Sequence, residues 1–353
     1  MVNKMKITLV MAAYNAEKTL SVTLQSILQQ NRKPDELVIV NDYSTDCTAI
    51  VIESELKTAP FPVHIITNPE NKGVAFSRNI GIGKANSELI AFCDADDILE
   101  PHCIEILVEL ARLVPTSIVF FGDEQIVRTD GSVRLSSVQS RPGYMQVTKT
   151  IIGHDSLGGV VSTLGTDLFM ALMDGSFIPM SGVVIRNSAL SIVGLFEDEL
   201  RWSEDLNLFL RLSKAGSFST TSTRVVRKLE HQNNLTAATR IKPYIERTRE
   251  DDLKSALISF NSALALSLIV NKSNQSGDQV AGKLLLNDLE FEKLLNQING
   301  RIQSCYYFSS KCGWKVFRPF KRKCESIVGS SKATMKDYLR ALLSTIRLGR
   351  FFN

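Results

Sequence analysis

The chain has 353 residues, enough for one large domain with an appendage or for two domains. Hydrophobic residues make up 44% and charged residues 22%, which is ordinary globular composition. The net charge of +4 is unevenly spread, because residues 301–353 carry 12 Lys or Arg against 2 Asp or Glu. A basic tail therefore follows a slightly acidic body, and such a tail is suited to an anionic surface.

The sequence gives little support for a secreted, a membrane-spanning or a zinc-binding protein. The start of the sequence lacks the apolar core and cleavage site of a secretory signal, and no uninterrupted apolar stretch of about 20 residues predicts a membrane span. The six cysteines contain no CxxC pair, so a zinc site has little support, and we expect reduced thiols in a cytoplasmic protein.

Strand and helix patterns alternate through the first hundred residues. Strands are predicted at 6–11, 36–40, 63–66 and 89–93, and the intervening helices at 16–29, 47–56 and 74–85. Such alternation is typical of an α/β fold with a parallel sheet and right-handed crossovers. Ser44 or Thr45 is expected to cap the second helix. A helix at 101–113, a strand at 117–121 and a hairpin pairing 126–127 with 133–135 follow.

The apolar run at 89–93 stops abruptly at the acidic segment 94–97. Carboxylates this close repel one another, and Mg²⁺ or Mn²⁺ offsets them well because these ions prefer oxygen ligands. The alternative is a polar turn in which Asp97 caps the next helix. Because ligands of open α/β sheets bind beyond the carboxyl ends of strands, the loops at Tyr14 and Asp42 would join this segment around a nucleotide. Glycine-rich dinucleotide and P-loop motifs are missing, which disfavours those classes.

The second half is less regular. Glycines between 137 and 174 indicate loops, with a helix near 168–173, and a strand at 183–185 and a helix at 187–193 come next. Ser203 is expected to cap a helix that runs to about 214 and carries Glu204 and Asp205 in its first turn. These carboxylates either complement the helix dipole or supply a general base. A strand at 223–229 precedes His231, which is either structural or a metal or phosphate contact.

At this point the ordered set of motifs resembles one family. Residues 6 to about 235 look like an inverting glycosyltransferase of family 2 with the GT-A fold, a Rossmann-like, mostly parallel sheet flanked by helices. The matching motifs, in chain order, are Ala13-Tyr14-Asn15 with Glu17; Val40-Asn41-Asp42 with Ser44 and Thr45; Asn71-Lys72-Gly73 with Arg78-Asn79; Asp94-Ala95-Asp96-Asp97; Ser181 to Arg186; and Glu204-Asp205.

The resemblance implies a role for each matching residue. The metal, Mn²⁺ or Mg²⁺, would be held by Asp96, with His231 approaching it, and Asp205 would be the catalytic base. The acceptor would contact Ser181, Gly182, Trp202 and Glu204. The nucleotide-sugar would be bound by Ala13, Tyr14, Asn15, Glu17, Asp42, Lys72, Arg78, Asp94 and Ala95.

The resemblance implies metal-dependent transfer of one sugar from a nucleotide-sugar, a UDP-sugar in the first instance, to a hydroxyl of a glycan or lipid-linked acceptor during surface polysaccharide or glycan synthesis. The Gln-x-x-Arg-Trp motif of processive synthases is absent, which favours single addition. Two alternatives remain: transfer to a polyprenyl phosphate, and a catalytically silent scaffold on the same fold. Nucleotidyl transfer is disfavoured because the glycine-rich loop it needs is replaced by residues 12–15.

The expected organisation is a catalytic domain at 1–240, divided near 122 into a nucleotide-sugar half and an acceptor half, then a helical extension at 241–300. Residues 301–353 mix aromatic and basic side chains, and 335–352 can be drawn as a basic amphipathic helix. Such a helix binds an anionic membrane surface, here the inner face, or packs on protein, including a second copy. Nucleic acid is not an expected partner.

Overall fold

The computed structural model describes residues 5–230, except 129, 136, 157, 175, 199 and 201, together with the isolated positions 269, 289, 290, 293, 297 and 301. The chain divides into two compact units, Met1–His231 with Gln279–Gly282, and Gln232–Asp278 with Lys283–Asn353. Among the helices of the described residues, none combines the length and apolar character of a membrane span. The predicted helical extension and amphipathic tail lie almost wholly outside the described residues, and the boundaries at 240 and 300 stay predictions.

The first half alternates as predicted. Its elements are β1 (Ile7–Ala13), α1 (Leu20–Leu28), β2 (Glu36–Asn41), α2 (Thr48–Leu56), β3 (Val63–Thr67), α3 (Val74–Lys84) and β4 (Leu89–Phe92). The four strands pair in parallel in the order β3-β2-β1-β4. All four residues of β4 are buried, as expected for an apolar strand covered on both faces.

The second half adds strands of both directions. Its elements are β5 (Asp97–Leu99), α4 (Cys103–Leu113), β6 (Ser117–Arg128), β7 (Val133–Leu135), a 3-10 turn (Val138–Ser140), α5 (Pro142–Gln146), β8 (Lys149–His154), β9 (Val160–Leu164), α6 (Leu168–Met173), β10 (Val183–Arg186), α7 (Asn187–Val193), α8 (Glu204–Ala215) and β11 (Ser217–Glu230).

All these strands form one sheet with the order β3-β2-β1-β4-β10-β6-β11-β9-β8, while β5 pairs with β11 and β7 with β6. Along that order only β10 and β9 run against the others in the described part of the chain. The predicted α/β fold with a mostly parallel sheet flanked by helices is therefore confirmed. The insertion of β10 beside β4 brings residues 181 and 182 to the end of β4, where the acidic segment begins.

Three local predictions were wrong. Residues 149–164 form the paired strands β8 and β9, because β9 finds a partner in β11 that the local sequence does not reveal. Ser203 has a left-handed backbone (φ 62°) and its side chain makes no capping bond to α8. Asp46, and neither Ser44 nor Thr45, accepts the hydrogen bond from Thr48 N–H at the start of α2.

The structure also excludes the alternative in which Asp97 caps the next helix. Asp97 opens the short strand β5, paired with β11, and does not cap a helix, since α4 begins only at Cys103. This pairing turns the acidic segment back towards β11 and buries the Asp97 side chain.

Candidate active site

Three carboxylates lie together beyond the end of β4. One oxygen from each of Asp94, Asp96 and Asp97 can be chosen so that all three lie within 4.8 Å of one another. Asp97 is buried, while Asp94 and Asp96 are partly exposed. The segment can hold this shape because the backbone of Ala95 is anchored, its carbonyl accepting hydrogen bonds from Thr19 Oγ1 (3.0 Å) and Thr23 Oγ1 (3.1 Å) of the first helix region.

Ser181, in the turn before β10, and Lys228, in β11, contact this cluster. The Ser181 hydroxyl donates to Asp97 Oδ2 (2.6 Å) and accepts from Asp94 N–H (2.9 Å). Lys228 Nζ lies 3.6 Å from Asp97 Oδ2 and 3.9 Å from Asp94 Oδ2. Burial raises the pKa of Asp97 to about 8, although the positive charge of Lys228 acts to lower it. The pKa of Lys228 is raised above its ordinary value, chiefly by the negative charge of Asp97.

The cluster fits a divalent cation. Asp97 Oδ1 is buried and has no hydrogen-bond partner in the described part of the chain, which is costly for a carboxylate oxygen unless a ligand binds it. Three clustered carboxylates are also the oxygen donors that Mg²⁺ and Mn²⁺ prefer. Asp96, the predicted ligand, and its neighbours Asp94 and Asp97 are the residues that could hold such an ion.

Arg78 joins this cluster to the start of α8. Its Nη2 donates to Asp94 Oδ1 (2.6 Å) and its Nη1 to Glu204 Oε1 (2.7 Å), and the guanidinium lies 5.5 Å from the centre of the Phe196 ring. Burial alone would lower the pKa of Arg78, but the charges of Asp94 and Glu204 raise it. Burial would raise the pKa of Asp94, but the contact with Arg78 keeps this pKa below its usual value.

Glu204 and Asp205 form the first turn of α8, beside this ion pair. Burial raises the pKa of Glu204 to about 7 despite the charge of Arg78. Burial also raises the pKa of the half-buried Asp205, although Leu206 N–H donates to its Oδ1 at 2.7 Å. A carboxylate with a raised pKa binds a proton more readily, so Asp205 is suited to act as a base.

The predicted nucleotide residues Tyr14, Asn15 and Glu17 follow β1, and Asp42 follows β2. Asp42 is buried, and its carboxylate accepts from Asn68 Nδ2 (2.8 Å), Lys72 N–H (2.9 Å) and Gly73 N–H (2.7 Å), so it anchors the loop before α3. The Lys72 side chain is exposed and pairs with Glu70. Arg78 is likewise engaged within the protein, in the ion pair described above.

Asn15 and Glu17 bind the neighbouring loop instead of projecting freely. Asn15 Oδ1 accepts from Thr45 N–H (2.9 Å), and Glu17 Oε2 accepts from Cys47 N–H (3.0 Å). Ala13 is buried and its carbonyl accepts from Asp42 N–H (2.8 Å), whereas Tyr14 is 50% exposed. Asn15 and Glu17 are exposed as well, but their side chains are hydrogen-bonded to the neighbouring loop.

The predicted acceptor residues have unequal positions. Ser181 is buried in the acidic cluster, and Gly182 next to it has a positive φ of 72°, which favours glycine. Trp202 is half-buried and its indole N–H has no hydrogen-bond partner within the described residues. Glu204 is occupied by Arg78. The predicted metal contact His231 lies outside the described residues.

Sequence reasoning missed two residues of the site. Asp97 belongs to the acidic segment for which the sequence predicts a cation, but the predicted metal ligand there is Asp96, and no local pattern indicates that Asp97 opens the short strand β5. The strand predicted at 223–229 contains Lys228, but the sequence assigns this residue no role in the site. Only the antiparallel register Lys228↔Asp97 between β11 and β5 brings it to the cluster.

The comparisons with known proteins agree with this geometry. Residues 8–158 match the family described as "Glycosyl transferase family 2". The GT-A fold is shared with mannosyltransferase PcManGT from Pyrobaculum calidifontis, solved with GDP-Man and Mn²⁺ (TM-score 0.52, 13% identity, 98% of this chain and 87% of that chain). It is shared also with S. aureus TarS 1-349 in complex with UDP-GlcNAc (TM-score 0.51, 17% identity, 98% and 92%).

Among curated proteins, WfgD from Escherichia coli is named a UDP-Glc:alpha-D-GlcNAc-diphosphoundecaprenol beta-1,3-glucosyltransferase. It is 30% identical over 128 residues, 36% of this chain and 49% of WfgD. The succinoglycan biosynthesis protein ExoO from Rhizobium meliloti is 33% identical over 144 residues, 40% of each chain. This chain thus covers less than half the length of each of these relatives.

Proposed function

We propose that this protein is a metal-dependent inverting glycosyltransferase. It moves one sugar from a nucleotide-sugar, a UDP-sugar in the first instance, to a hydroxyl of a glycan or lipid-linked acceptor in surface polysaccharide or glycan synthesis. The observation that carries the proposal is the Arg78 bridge, which joins Asp94 of the acidic cluster to Glu204. The next residue, Asp205, is thereby held beside the place where a cation and a diphosphate would bind.

In the proposed reaction Asp205 accepts the proton of the acceptor hydroxyl on its carboxylate. The hydroxyl oxygen forms a bond to the anomeric carbon from the face opposite the leaving group, and the bond from that carbon to the β-phosphate oxygen breaks, so the configuration inverts. A divalent cation held by the acidic cluster supplies Lewis-acid stabilisation of the departing diphosphate. Lys228 and Arg78 fix the carboxylates of that cluster.

The names of similar proteins support this choice of donor and acceptor. WfgD is named for a UDP-sugar and a diphosphoundecaprenol-linked acceptor, and TarS was solved with UDP-GlcNAc. PcManGT was solved with GDP-Man and Mn²⁺, so guanosine donors belong in the same test. The raised pKa of Asp205 favours a hydroxyl acceptor over a polyprenyl phosphate, since an acceptor that is already anionic needs no strong base.

The test is calorimetric binding of UDP, GDP and their sugars to the full chain, with and without Mn²⁺ or Mg²⁺. We expect metal-dependent binding of one diphosphate class that Asp96→Ala abolishes. Asp130→Ala, an exposed aspartate in the turn between β6 and β7, is the matched control and should bind as the wild type does. Absence of nucleotide binding by folded wild-type protein would overturn the proposal in favour of a scaffold role.

A further inference from the structure

Tyr43 lies in the loop between β2 and α2. Its backbone has φ 64°, in the left-handed region that bulky side chains adopt only at an energetic cost. The ring is 52% exposed, and it makes no ring–ring or cation–ring contact with any part of the chain that the structure describes. Packing of the fold therefore does not account for an aromatic side chain in a strained conformation at this position.

Tyr43 has a second exposed tyrosine as its neighbour. Tyr14 is 50% exposed and follows β1, the strand that pairs in parallel with β2 through the register Ala13↔Asn41. The two loops are tied together, since Asn15 N–H donates to Ser44 Oγ at 3.0 Å and Thr45 N–H donates to Asn15 Oδ1 at 2.9 Å. Both rings thus belong to one edge of the sheet, at the carboxyl ends of adjacent strands.

The backbone on the other side of Tyr43 is also fixed. The Asp42 carboxylate accepts hydrogen bonds from the backbone N–H groups of Lys72 and Gly73. The backbone N–H of Asp42 donates to the Ala13 carbonyl at 2.8 Å. A ring exposed on a loop that is held from both sides loses little conformational freedom when it contacts a ligand. This arrangement suits a rigid surface for a flat, partly apolar ligand.

We propose that Tyr43 stacks on the nucleobase of the donor, next to Tyr14. The inference rests on the proposed function and names the side chains that recognise the base. Nucleotides bind beyond the carboxyl ends of the strands in open α/β sheets, and every base offers a π-face to an aromatic ring. Because stacking is tolerant of base identity, Tyr43 contributes affinity for the nucleoside and leaves the choice of base to hydrogen-bonding groups.

The experiment measures Kd for UDP and for inorganic pyrophosphate, both with Mn²⁺, on the full-length wild type, Tyr43→Phe and Tyr43→Gly. Glycine relieves the strained backbone, so the thermal midpoint of Tyr43→Gly should not fall below that of the wild type. We expect Tyr43→Gly to weaken UDP binding about tenfold while pyrophosphate binding stays unchanged. Tyr43→Phe keeps the ring and should retain wild-type affinity for UDP.

The outcomes separate this inference from the proposed function. If the wild type binds UDP and Tyr43→Gly binds it equally well, the stacking role is wrong and the proposed function stands. An equal loss for UDP and pyrophosphate also overturns it, because the effect then lies in the loop and not in the base contact. If the wild type binds no nucleoside diphosphate, including GDP, the proposed function fails, and the role of Tyr43 fails with it.

Discussion

Individual charged side chains set the chemistry of this site. Five carboxylates, those of Asp94, Asp96, Asp97, Glu204 and Asp205, gather around two cations, Arg78 and Lys228. An uncompensated charge in such a setting is expensive, so each cation is retained by more than one acid. The same burial raises the pKa of Asp205, and this effect prepares it to accept a proton.

Replacement of Asp205 tests its proposed role as the catalytic base. We expect Asp205→Asn to lower kcat by about 10²–10⁴-fold, the usual contribution of general base catalysis, while Kd for the nucleotide is unchanged. In the wild type the base must be deprotonated, so kcat/KM should fall on acidification. Because burial raises this pKa, the fall should begin above the pH of about 4 at which an ordinary aspartate titrates.

A pH–rate profile of the wild type and initial rates of Asp205→Asn check both statements. A variant whose kcat falls by less than about tenfold would show that another group removes the proton. Asp205→Glu is a useful companion, because it keeps a carboxylate but moves it by one methylene.

At the scale of elements, close packing of α3 on the sheet places Arg78. Gly81 of α3 lies against β1, and a Cβ at this position would meet Val10 Cγ1 at 2.4 Å. A Cβ at Gly83, two residues further along the helix, would meet nothing within 4 Å. The helix therefore contains one glycine that the packing requires and one that it does not.

This contrast gives a matched pair of variants. Gly81→Ala should lower the free energy of unfolding by about 1–3 kcal/mol, because the added methyl group overpacks a stiff β-branched neighbour. Gly83→Ala should raise it by up to about 1 kcal/mol, since alanine is the better helix former at an exposed position. Urea unfolding of both variants measures the difference, and equal effects of the two substitutions would contradict the close contact between α3 and β1.

Helix α8 is positioned by a second buried arginine. Arg211 donates from Nη1 to the carbonyls of Val193 (2.7 Å) and Gly194 (3.0 Å), and from Nη2 to that of Leu195 (2.6 Å). These hydrogen bonds satisfy the backbone carbonyls at the C-terminal end of α7 and hold α8 against this segment. The first turn of α8 carries Glu204 and Asp205. The sequence indicates the apolar face of α8 through Leu206, Phe209 and Leu210 but gives no sign of this role for Arg211.

At the scale of the first compact unit, Arg78 and Asn79 connect distant parts of the chain. Arg78 reaches Glu204, while Asn79 Nδ2 donates to the Phe196 carbonyl at 2.8 Å and Asn79 Oδ1 accepts from Phe196 N–H at 3.0 Å. Both residues thus connect α3, on the nucleotide side of the proposed site, to the segment that carries Asp205, the proposed catalytic base. Arg78 differs from Asn79 in also neutralising Asp94.

Arg78→Met should therefore cost about 3–5 kcal/mol of the free energy of unfolding near pH 8, because the buried Glu204 and the partly exposed Asp94 lose their cationic partner. Asn79→Ala, the adjacent control that lacks the charge, should cost about 1–3 kcal/mol. At pH 5 the penalty of Arg78→Met should shrink, since the carboxylates left behind then take up protons, whereas that of Asn79→Ala should not. Denaturant unfolding at the two pH values measures this, and a pH-independent penalty for Arg78→Met would argue against buried charge as its cause.

Local sequence determined much of this molecule. The parallel half of the sheet, the acidic segment after β4 and the carboxylate pair opening α8 follow from apolar runs and helical spacing, which depend on neighbours in the chain. Tertiary structure alone decided the rest: the insertion of β10, the pairing of β5 with β11, and the contacts of Lys228 and Arg78. These depend on strand register and on charges more than a hundred residues apart, and short-range hydrophobic pattern carries no information about either.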